Sequence, residues 1–417
     1  MSFRRCRFGS QRGFSLSDGV LASHSLRLPE DSISCMVLHR SPLYALFGAA
    51  RVSVRDASFS KMKTRFLTLS KRDASRLLRK HMPLGEKESA AAVSAAPREI
   101  FFLALSGSDA ASGLLLLIPA LSKLRRLGVD LLGRLFDKTS SMLSAVPDSA
   151  REDMYLSAVS ALSAAVTVAA LIALGGWAFS VLCISSANAR FDAISSGDTL
   201  IIRRGMLSRK AVYIPKSHVC GTVTRRTLLL LLLGRASVDV LSDGCPETPL
   251  IPAAAISEIP KKLARLGFAA DEKLLSVEAD KGSRAHIFLP RFAAAAAVTL
   301  IFLRLSRGND AERFISLAFI PAVILMIWYA LTAFVGSKMS CAALESGCIE
   351  ITGTRFFTIR TVRISRRSVC EIKIKQSPFQ KRKGLCDLYI RPVCGKTGVT
   401  CRFLPFDRAV KFARMIR

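Results

Sequence analysis

The chain has 417 residues, half of them apolar, and its 61 lysines and arginines outnumber its 31 carboxylates by 30. A mean hydropathy of +0.34 is too high for an ordinary soluble protein, while a charged fraction of 22% is too high for a pure bundle of membrane helices. The composition therefore predicts a chain with membrane and soluble parts. The eleven cysteines are scattered and form no CxxC pair, which predicts free thiols in a reducing compartment.

Three stretches of the chain share one internal spacing. The anchors are Pro29, Pro215 and Ser365, and a glycine stands nineteen residues after each of them. These glycines are Gly48, Gly234 and Gly384. The copies are 186 and 150 residues apart, too distant to stack as a solenoid, so we expect each copy to close a core of its own.

Strands followed by one helix are the pattern within a copy. In the third copy, alternating apolar residues predict strands over 347–351, 356–359, 369–375, 386–392 and 399–404, and apolar residues at helical spacing follow to Ile416. The first copy ends in the same way, with Ser70 as the predicted helix cap. The six leucines 228–233 of the second copy predict a buried strand and turn or a lipid-facing edge, and we favour burial.

Long apolar runs separate the copies and predict membrane helices. Runs 157–184 and 314–336 are long enough to cross a bilayer. The weaker runs 99–122 and 285–303 are also predicted as spans, because two crossings between consecutive copies keep the three like domains in one compartment. We thus predict small domains at 1–83, 185–268 and 341–417, a linker at 84–98 and an external loop at 123–156. The predicted fold class is a multipass α-helical membrane protein with three small α+β domains, each an antiparallel sandwich or barrel plus a C-terminal helix.

The charge distribution predicts the orientation of this arrangement. Residues 1–98, 185–290 and 336–417 carry net charges of +11, +5 and +13, whereas the loops between paired helices are nearly neutral. By the positive-inside rule the three domains face the cytoplasm. The predicted localisation is therefore a plasma membrane, crossed several times.

A small sheet closed by one C-terminal helix is the pleckstrin homology (PH) layout. The segments 204–209, 353–364 and 375–385 resemble those of bacterial PH-domain membrane proteins, the YdbS/YdbT-like family. The resemblance spans essentially the whole chain and implies architecture more than activity. It departs from the family at its start, where a helix pair usually precedes the first PH domain.

Motifs for catalysis are not found in the sequence. The five histidines never pair at ligand spacing, and phosphate loops, GxSxG and HExxH are missing. We therefore predict no enzyme, no cofactor and no metal. An export or resistance protein is the alternative, with a path near Asp109 and Arg291, since ionisable groups at membrane depth mark transport routes.

Clusters of basic residues are the candidate sites for lipid or partner binding. They are Arg203, Arg204, Arg209, Lys210, Arg225, Arg226, Lys373, Lys375, Lys381, Arg382 and Lys383. Anionic lipid stabilises each basic residue near its surface by about 1 kcal/mol, so we expect a non-enzymatic scaffold that binds anionic membrane lipids and a companion protein or itself. Basic flanks and lysine-rich strand edges also occur without any ligand. We expect no nucleic acid partner, because few aromatic residues stand among the clusters.

Overall fold

The computed structural model of the protein describes residues 7–9, 14–18, 24–57, 65–82, 91–107, 175–268, 273–279, 334–355, 358–394 and 398–416, with positions 293, 296, 297 and 331. Within these ranges antiparallel strands dominate. Repeat 1 contains β1 Arg7–Gly9, β2 Phe14–Asp18, β3 His24–Leu28, β4 Ile33–Arg40, β5 Ala49–Asp56 and β6 Arg65–Ser70. Repeat 2 contains β7 Ala91–Ser94, β8 Asp192–Ser196, β9 Thr199–Arg204, β10 Arg209–Pro215, β11 Val219–Thr227, β12 Arg235–Ser242 and β13 Thr248–Ala255. Repeat 3 contains β14 Lys273–Glu278, β15 Cys341–Glu345, β16 Cys348–Arg355, β17 Thr358–Ser365, β18 Val369–Lys375, β19 Leu385–Pro392 and β20 Val399–Pro405.

Each repeat ends in a closing helix and has a one-turn helix between two of its strands. The closing helices are Lys71–His81, Ile259–Arg265 and Phe406–Ile416. One-turn helices stand between the fourth and fifth strands of repeat 1 and at the equivalent places of the others, at Pro42–Leu46, Leu228–Leu232 and Pro378–Arg382. Helix Pro97–Gly107 follows β7, and residues 175–188 are helical before β8.

The sheets run across the boundaries between repeats. The strand orders are β1-β2-β3, β6-β5-β4-β10-β9-β8-β7, β13-β12-β11-β17-β16-β15-β14 and β18-β19-β20. The second half of repeat 1 thus continues the first half of repeat 2, and the second half of repeat 2 continues the first half of repeat 3. We call these the first junction, β4 with β10, and the second junction, β11 with β17.

The cores of neighbouring repeats are shared at these junctions. Cys35 and Val37 of β4 are buried in the core of repeat 2, and Ile201 and Tyr213 of repeat 2 are buried in the core of repeat 1. Successive side chains of a strand point to opposite faces of its sheet, so one junction strand contributes to two cores. The expectation that each copy closes its core alone is therefore wrong.

The shared spacing of the copies is confirmed at the turns. Gly48, Gly234 and Gly384 each end a one-turn helix with φ of +60°, +63° and +63°, a left-handed conformation that favours glycine. Ser41 and Ser377 cap these helices by accepting the N–H of Tyr44 and Gln380. The closing helix of repeat 1 begins at Ser70 as predicted, since the Ser70 hydroxyl accepts the N–H of Asp73.

The leucine run of repeat 2 forms the one-turn helix rather than a strand. Leu228 and Leu230 are 2% and 1% exposed, whereas Leu232 is 74% exposed. The preference for burial is thus right for one face of the turn only. In repeat 3 the predicted strand positions agree with β16 to β20, although β17 continues to Ser365, six residues beyond the prediction.

The predicted fold class of a multipass α-helical membrane protein is wrong, and so is the localisation in the plasma membrane as a multipass protein. No helix in the described ranges is long and apolar enough to cross a membrane. In helix Pro97–Gly107 the side chains of Glu99 and Ile100 are buried, at 4% and 6% exposure. Ile100 packs into the core of repeat 2, a form of burial that hydropathy does not distinguish from lipid. Most of the predicted spans, and the loop 123–156, lie outside the described residues.

Candidate functional site

A cavity of about 500 Å³ lies at the first junction and is lined by basic side chains. Its cations are Arg40, Arg190, Arg203, Arg204, Arg209 and Lys210. Asp192 is the one carboxylate among the lining residues of this described cavity. Since the cations exceed the carboxylates by five, the lining of the cavity has a net positive formal charge.

Strand pairing places like charges opposite one another at this cavity. Arg209 of β10 is the register partner of Arg40 in β4, and Lys210 is the partner of Arg204 in β9. Like charges directly opposite in an antiparallel pair are destabilising. An anion between them would turn this repulsion into charge-assisted hydrogen bonds, and arginine can bind a phosphate through two parallel N–H groups.

The backbone around the cavity is fixed by the turn from β9 to β10. Gly205 has φ +102°, and a Cβ there would lie 2.0 Å from the carbonyl oxygen of Ser208, so only glycine fits. The Gly205 N–H donates to the carbonyl of Ala189 at 2.7 Å. Arg204 Nη1 donates to Asn188 Oδ1 at 2.9 Å, which ties the guanidinium to the end of the helical segment 175–188. The turn therefore presents its cations on a defined frame.

Burial perturbs the ionisable groups beside the cavity. Burial lowers the pKa of the Lys210 ammonium, and the nearby Arg204 lowers it further. Burial also lowers the pKa of the Arg204 guanidinium, against which Asp239 acts as the attractive charge. Burial also lowers the pKa of His39, whose Nε2 lies 2.6 Å from the Ser208 hydroxyl. Each shift disfavours positive charge, which is the condition that a bound anion relieves.

The second junction has arginines at two equivalent positions and pairs them with carboxylates. By the shared spacing, His39 and Lys210 correspond to Arg225 and Arg360, which are register partners in β11 and β17. Arg225 forms ion pairs with Asp239, at 2.7 Å, and with Glu247, and Arg360 lies 3.8 Å from Glu247. The position of Asp239 is occupied by Ser53 in repeat 1. At this place the first junction thus has neither the arginine nor the carboxylate of the pair, since His39 stands at the position of Arg225.

Exposed apolar side chains flank the cationic cavity. Because β4 and β10 are antiparallel, the helix after Arg40 and the turn before Arg209 lie at the same end of the sheet. The exposed fractions there are 69% for Leu43, 80% for Leu46, 82% for Phe47, 59% for Met206 and 69% for Leu207. Five apolar side chains are thus exposed at one end of the sheet, beside the cationic cavity.

The predicted basic residues fall in three places. Arg203, Arg204, Arg209 and Lys210 come together at the cavity. Arg225 and Arg226 lie in the second junction, where Arg225 is paired and burial lowers the pKa of Arg226 against the attraction of Glu350. The remaining predicted residues of repeat 3 lie on β18 and on the one-turn helix and cap after it: Lys373, Lys375, Lys381, Arg382 and Lys383.

Two cations of the cavity were missed by the sequence reasoning. Arg40 ends β4 of repeat 1, and it reaches the cavity only through its pairing with repeat 2. Arg190 precedes β8 and has φ +51°, an uncommon conformation for a residue with a side chain. Arg40 could have been found only by using the shared spacing to align strands of neighbouring copies with one another.

Potential metal ligands meet at the second junction. Atoms of Cys220, Asp243 and Cys394 lie within 4.8 Å of one another, and this is the group found among the described residues. Cys220 and Cys394 are joined as a disulfide, so neither sulfur offers a thiolate. The prediction of free thiols is therefore wrong for this pair, which links repeat 2 to repeat 3, and it is confirmed for eight other described cysteines.

Comparison with known proteins gives a family but no individual relative. The family model described as "Bacterial PH domain" matches residues 146–266 and 287–417, more than half of the chain. The two matches end with the closing helices of repeats 2 and 3. Neither the curated proteins nor the solved structures give a match.

Proposed function

Since the chain belongs to the bacterial PH domain family, we propose that it is a non-enzymatic PH-like scaffold whose first junction binds the phosphate of an anionic lipid headgroup. The observation that carries the proposal is the cationic cavity with exposed apolar side chains at the same end of its sheet. The scaffold consists of successive PH-like repeats, as the resemblance to the YdbS/YdbT-like proteins implies.

The charge of the cavity supports a phosphate-bearing ligand. Arg40 and Arg209 face one another across the junction, so a phosphate between them can accept N–H groups from both repeats. Arg203 and Arg209 are exposed and can reach a group that enters from solvent. The same recognition chemistry applies to a free phosphate and to the phosphate of a lipid.

The apolar flank favours the lipid over the free ion. Leu46 and Phe47 gain nothing from phosphate in water, but full burial of such a side chain in an apolar phase stabilises it by about 1.5–3 kcal/mol. Basic residues near an anionic surface add about 1 kcal/mol each. A lipid surface therefore uses both features of the site at once.

The export or resistance alternative has no observation in its favour. Asp109 and Arg291, on which it depends, lie outside the described residues. We retain the scaffold as the single proposed function, together with the expectation that nucleic acid is not a partner.

The test separates the two sources of phosphate with two double variants of the full chain. Arg203→Ala with Arg209→Ala removes cavity charge, and Met206→Ser with Leu207→Ser removes part of the apolar flank. Binding is measured to vesicles of 30% phosphatidylglycerol in phosphatidylcholine and, by calorimetry, to inorganic phosphate. The charge variant should weaken vesicle binding about 30-fold, from roughly 2 kcal/mol for two basic residues. The apolar variant should weaken vesicle binding and leave phosphate binding unchanged.

The matched control removes the same charge elsewhere. Arg72→Ala with Arg76→Ala changes two exposed residues of helix Lys71–His81. Equal losses in the control and the cavity variant would show that net charge, and not the cavity, binds the vesicles. Phosphate binding without vesicle binding would refute the lipid headgroup and leave a free phosphate as the ligand.

A further inference from the structure

The two junctions repeat one pairing in one register. Val37 pairs with Val212 at the first junction, and Val223 pairs with Val362 at the second. These pairs are related by the same offsets that relate the repeats, 186 residues and 150 residues. The first strand after the short 3-10 helix of each repeat is thus built to carry another strand on its outer edge.

β18 is the third strand of this kind, and its outer edge pairs with no strand of the described chain. It stands at the end of the order β18-β19-β20, whereas β4 and β11 stand inside seven-stranded sheets. All three strands share a bulge at the same position, occupied by Ser34, Cys220 and Cys370. Ser34 and Cys220 are 0% and 4% exposed, but Cys370 is exposed.

Charge distinguishes the open edge from the two filled ones. Lys373 stands where the filled edges have the buried residues Val37 and Val223, and Lys375 follows it on the same face. Glu371 on that face is held by Lys373 at 2.5 Å and by Arg391 at 3.7 Å. The edge is therefore net positive. A strand that pairs with it would balance the charge of these lysines only if that strand were acidic.

A second copy of this chain is a poor occupant on electrostatic grounds. Its equivalent free edge is β3, which ends the order β1-β2-β3. Residues 1–98 around β3 have a net charge of +11, and residues 336–417 around β18 have +13. Like charges across an interface oppose its formation, so head-to-tail pairing of copies is disfavoured.

We propose that the outer edge of β18 binds an acidic, extended segment of a partner protein, which adds to β18 as an antiparallel strand. Its backbone pairs with β18 as β10 and β17 pair with β4 and β11, and alternate acidic side chains meet Lys373 and Lys375. Main-chain pairing supplies affinity in this mode, and the side chains on one face supply the preference. The interaction is separate from the lipid site at the first junction and does not depend on it.

The probe is a nine-residue peptide with glutamate at alternate positions and threonine or valine between them. Binding to the full chain is followed by fluorescence anisotropy of the labelled peptide. Lys373→Glu with Lys375→Glu should weaken binding at least tenfold. The matched control, Lys411→Glu with Arg414→Glu, makes the same charge change at exposed positions of the closing helix of repeat 3, outside β18, and should change binding less than twofold.

Backbone pairing is tested by chemistry on the peptide, which leaves the folding of the protein untouched. Two N-methylated peptides are compared, one methylated at the odd positions and one at the even positions. Methylation of the N–H groups that face β18 should abolish binding, and methylation of the others should preserve it. A bromoacetamide at the C-terminal end of the peptide should alkylate Cys370, and one at the N-terminal end should not. The second junction sets this orientation, because Ile364 near the end of β17 pairs with Gly221, next to the bulge.

Four results would overturn the proposal. Equal binding of the two N-methylated peptides would show adsorption to charge without strand addition. The proposal also fails if the unmodified peptide does not bind, or if the control reversal weakens binding as much as the reversal on β18. Oligomers of the free chain that Lys373→Glu dissociates would assign the edge to a second copy instead.

Discussion

Gly221 offers a direct test of the junction between repeats 2 and 3. It lies in β11, where its Cα faces Ile364 of β17. A Cβ on Gly221 would stand 2.0 Å from the carbonyl oxygen of Arg363 and 2.9 Å from the Cα of Ile364. Both obstacles are backbone atoms, so Gly221→Ala cannot be relieved by turning a side chain, and the two strands must separate.

The expected cost follows from this geometry. Ordinary contact begins near 3.4 Å, so the carbonyl must retreat by more than an ångström. Overpacking of this kind costs about 1–3 kcal/mol, and we expect the upper end because the pairing of two repeats is disturbed. Gly221→Ala should therefore lower the free energy of unfolding by about 3 kcal/mol.

Gly234→Ala is the control for glycine itself. Gly234 has φ +63° and no neighbour within 4 Å of its Cβ position, so alanine meets only the cost of a left-handed conformation, about 1–2 kcal/mol. Reasoning from backbone angles alone predicts the opposite ranking, since φ of Gly221 is not in the left-handed region. Urea unfolding of both variants measures the difference. Hydrogen exchange at Val223 and Val362 then locates the damage.

The outcome can contradict the structure plainly. If Gly221→Ala costs no more than Gly234→Ala, and exchange at Val223 and Val362 is unchanged, then β11 and β17 do not approach as described. The shared register of the two junctions, and the open edge inferred from it, would then lose their basis.

Three other substitutions test an ion pair and two titratable side chains. Lys262 Nζ lies 2.7 Å from Glu99 Oε1, whose side chain is 5% exposed, so Glu99→Gln should cost about 3 kcal/mol in urea unfolding. A loss no larger than the roughly 0.5 kcal/mol of an ordinary surface substitution would contradict this pairing. A hydrogen bond from the Cys35 thiol lowers the pKa of Cys245 to about 7, so alkylation of Cys245 followed by mass spectrometry should reach half its maximal rate near pH 7, with a higher midpoint in Cys35→Ala. Burial lowers the pKa of His39 below 6.5, so the unfolded chain takes up the proton first as the pH falls and stability is lost. His39→Gln should therefore flatten the fall of Tm between pH 7 and 5, and an unchanged slope would remove His39 as its cause.

The sequence predicts most of what lies inside a repeat. The spacing from Ser365 to Gly384 predicts a turn that needs glycine, and Gly384 has φ +63°. The Ser377-Pro378 pair marks a helix cap and first helical residue, and the structure has both. Local chemistry of this kind depends on a few neighbouring residues, so a single sequence carries it.

The pairing between repeats could not be predicted in the same way. β4 is buried on both faces, with Met36 in one core and Val37 in the next. Such a strand lacks the alternation of apolar and polar residues, so its sequence does not indicate which strand pairs with its second edge. Four cations of the cavity were predicted from their clustering, but Arg40 depends on this pairing. The predicted span 99–122 begins in helix Pro97–Gly107, where Ile100 packs into the core of repeat 2, and hydropathy does not distinguish burial against protein from burial in lipid.

The two junctions have the same backbone pairing, so the pairing does not dictate their different charges. At the second junction Asp239 pairs with Arg225, whose counterpart at the first junction is His39. Repeat 1 has Ser53 at the position of Asp239, and Lys210 lies beside Arg204 with a pKa lowered by burial and by that neighbour. Local rules of this kind are broken chiefly at functional sites, where a ligand supplies the missing partner. In the proposed function, an anionic ligand supplies this partner for the cations of the first junction.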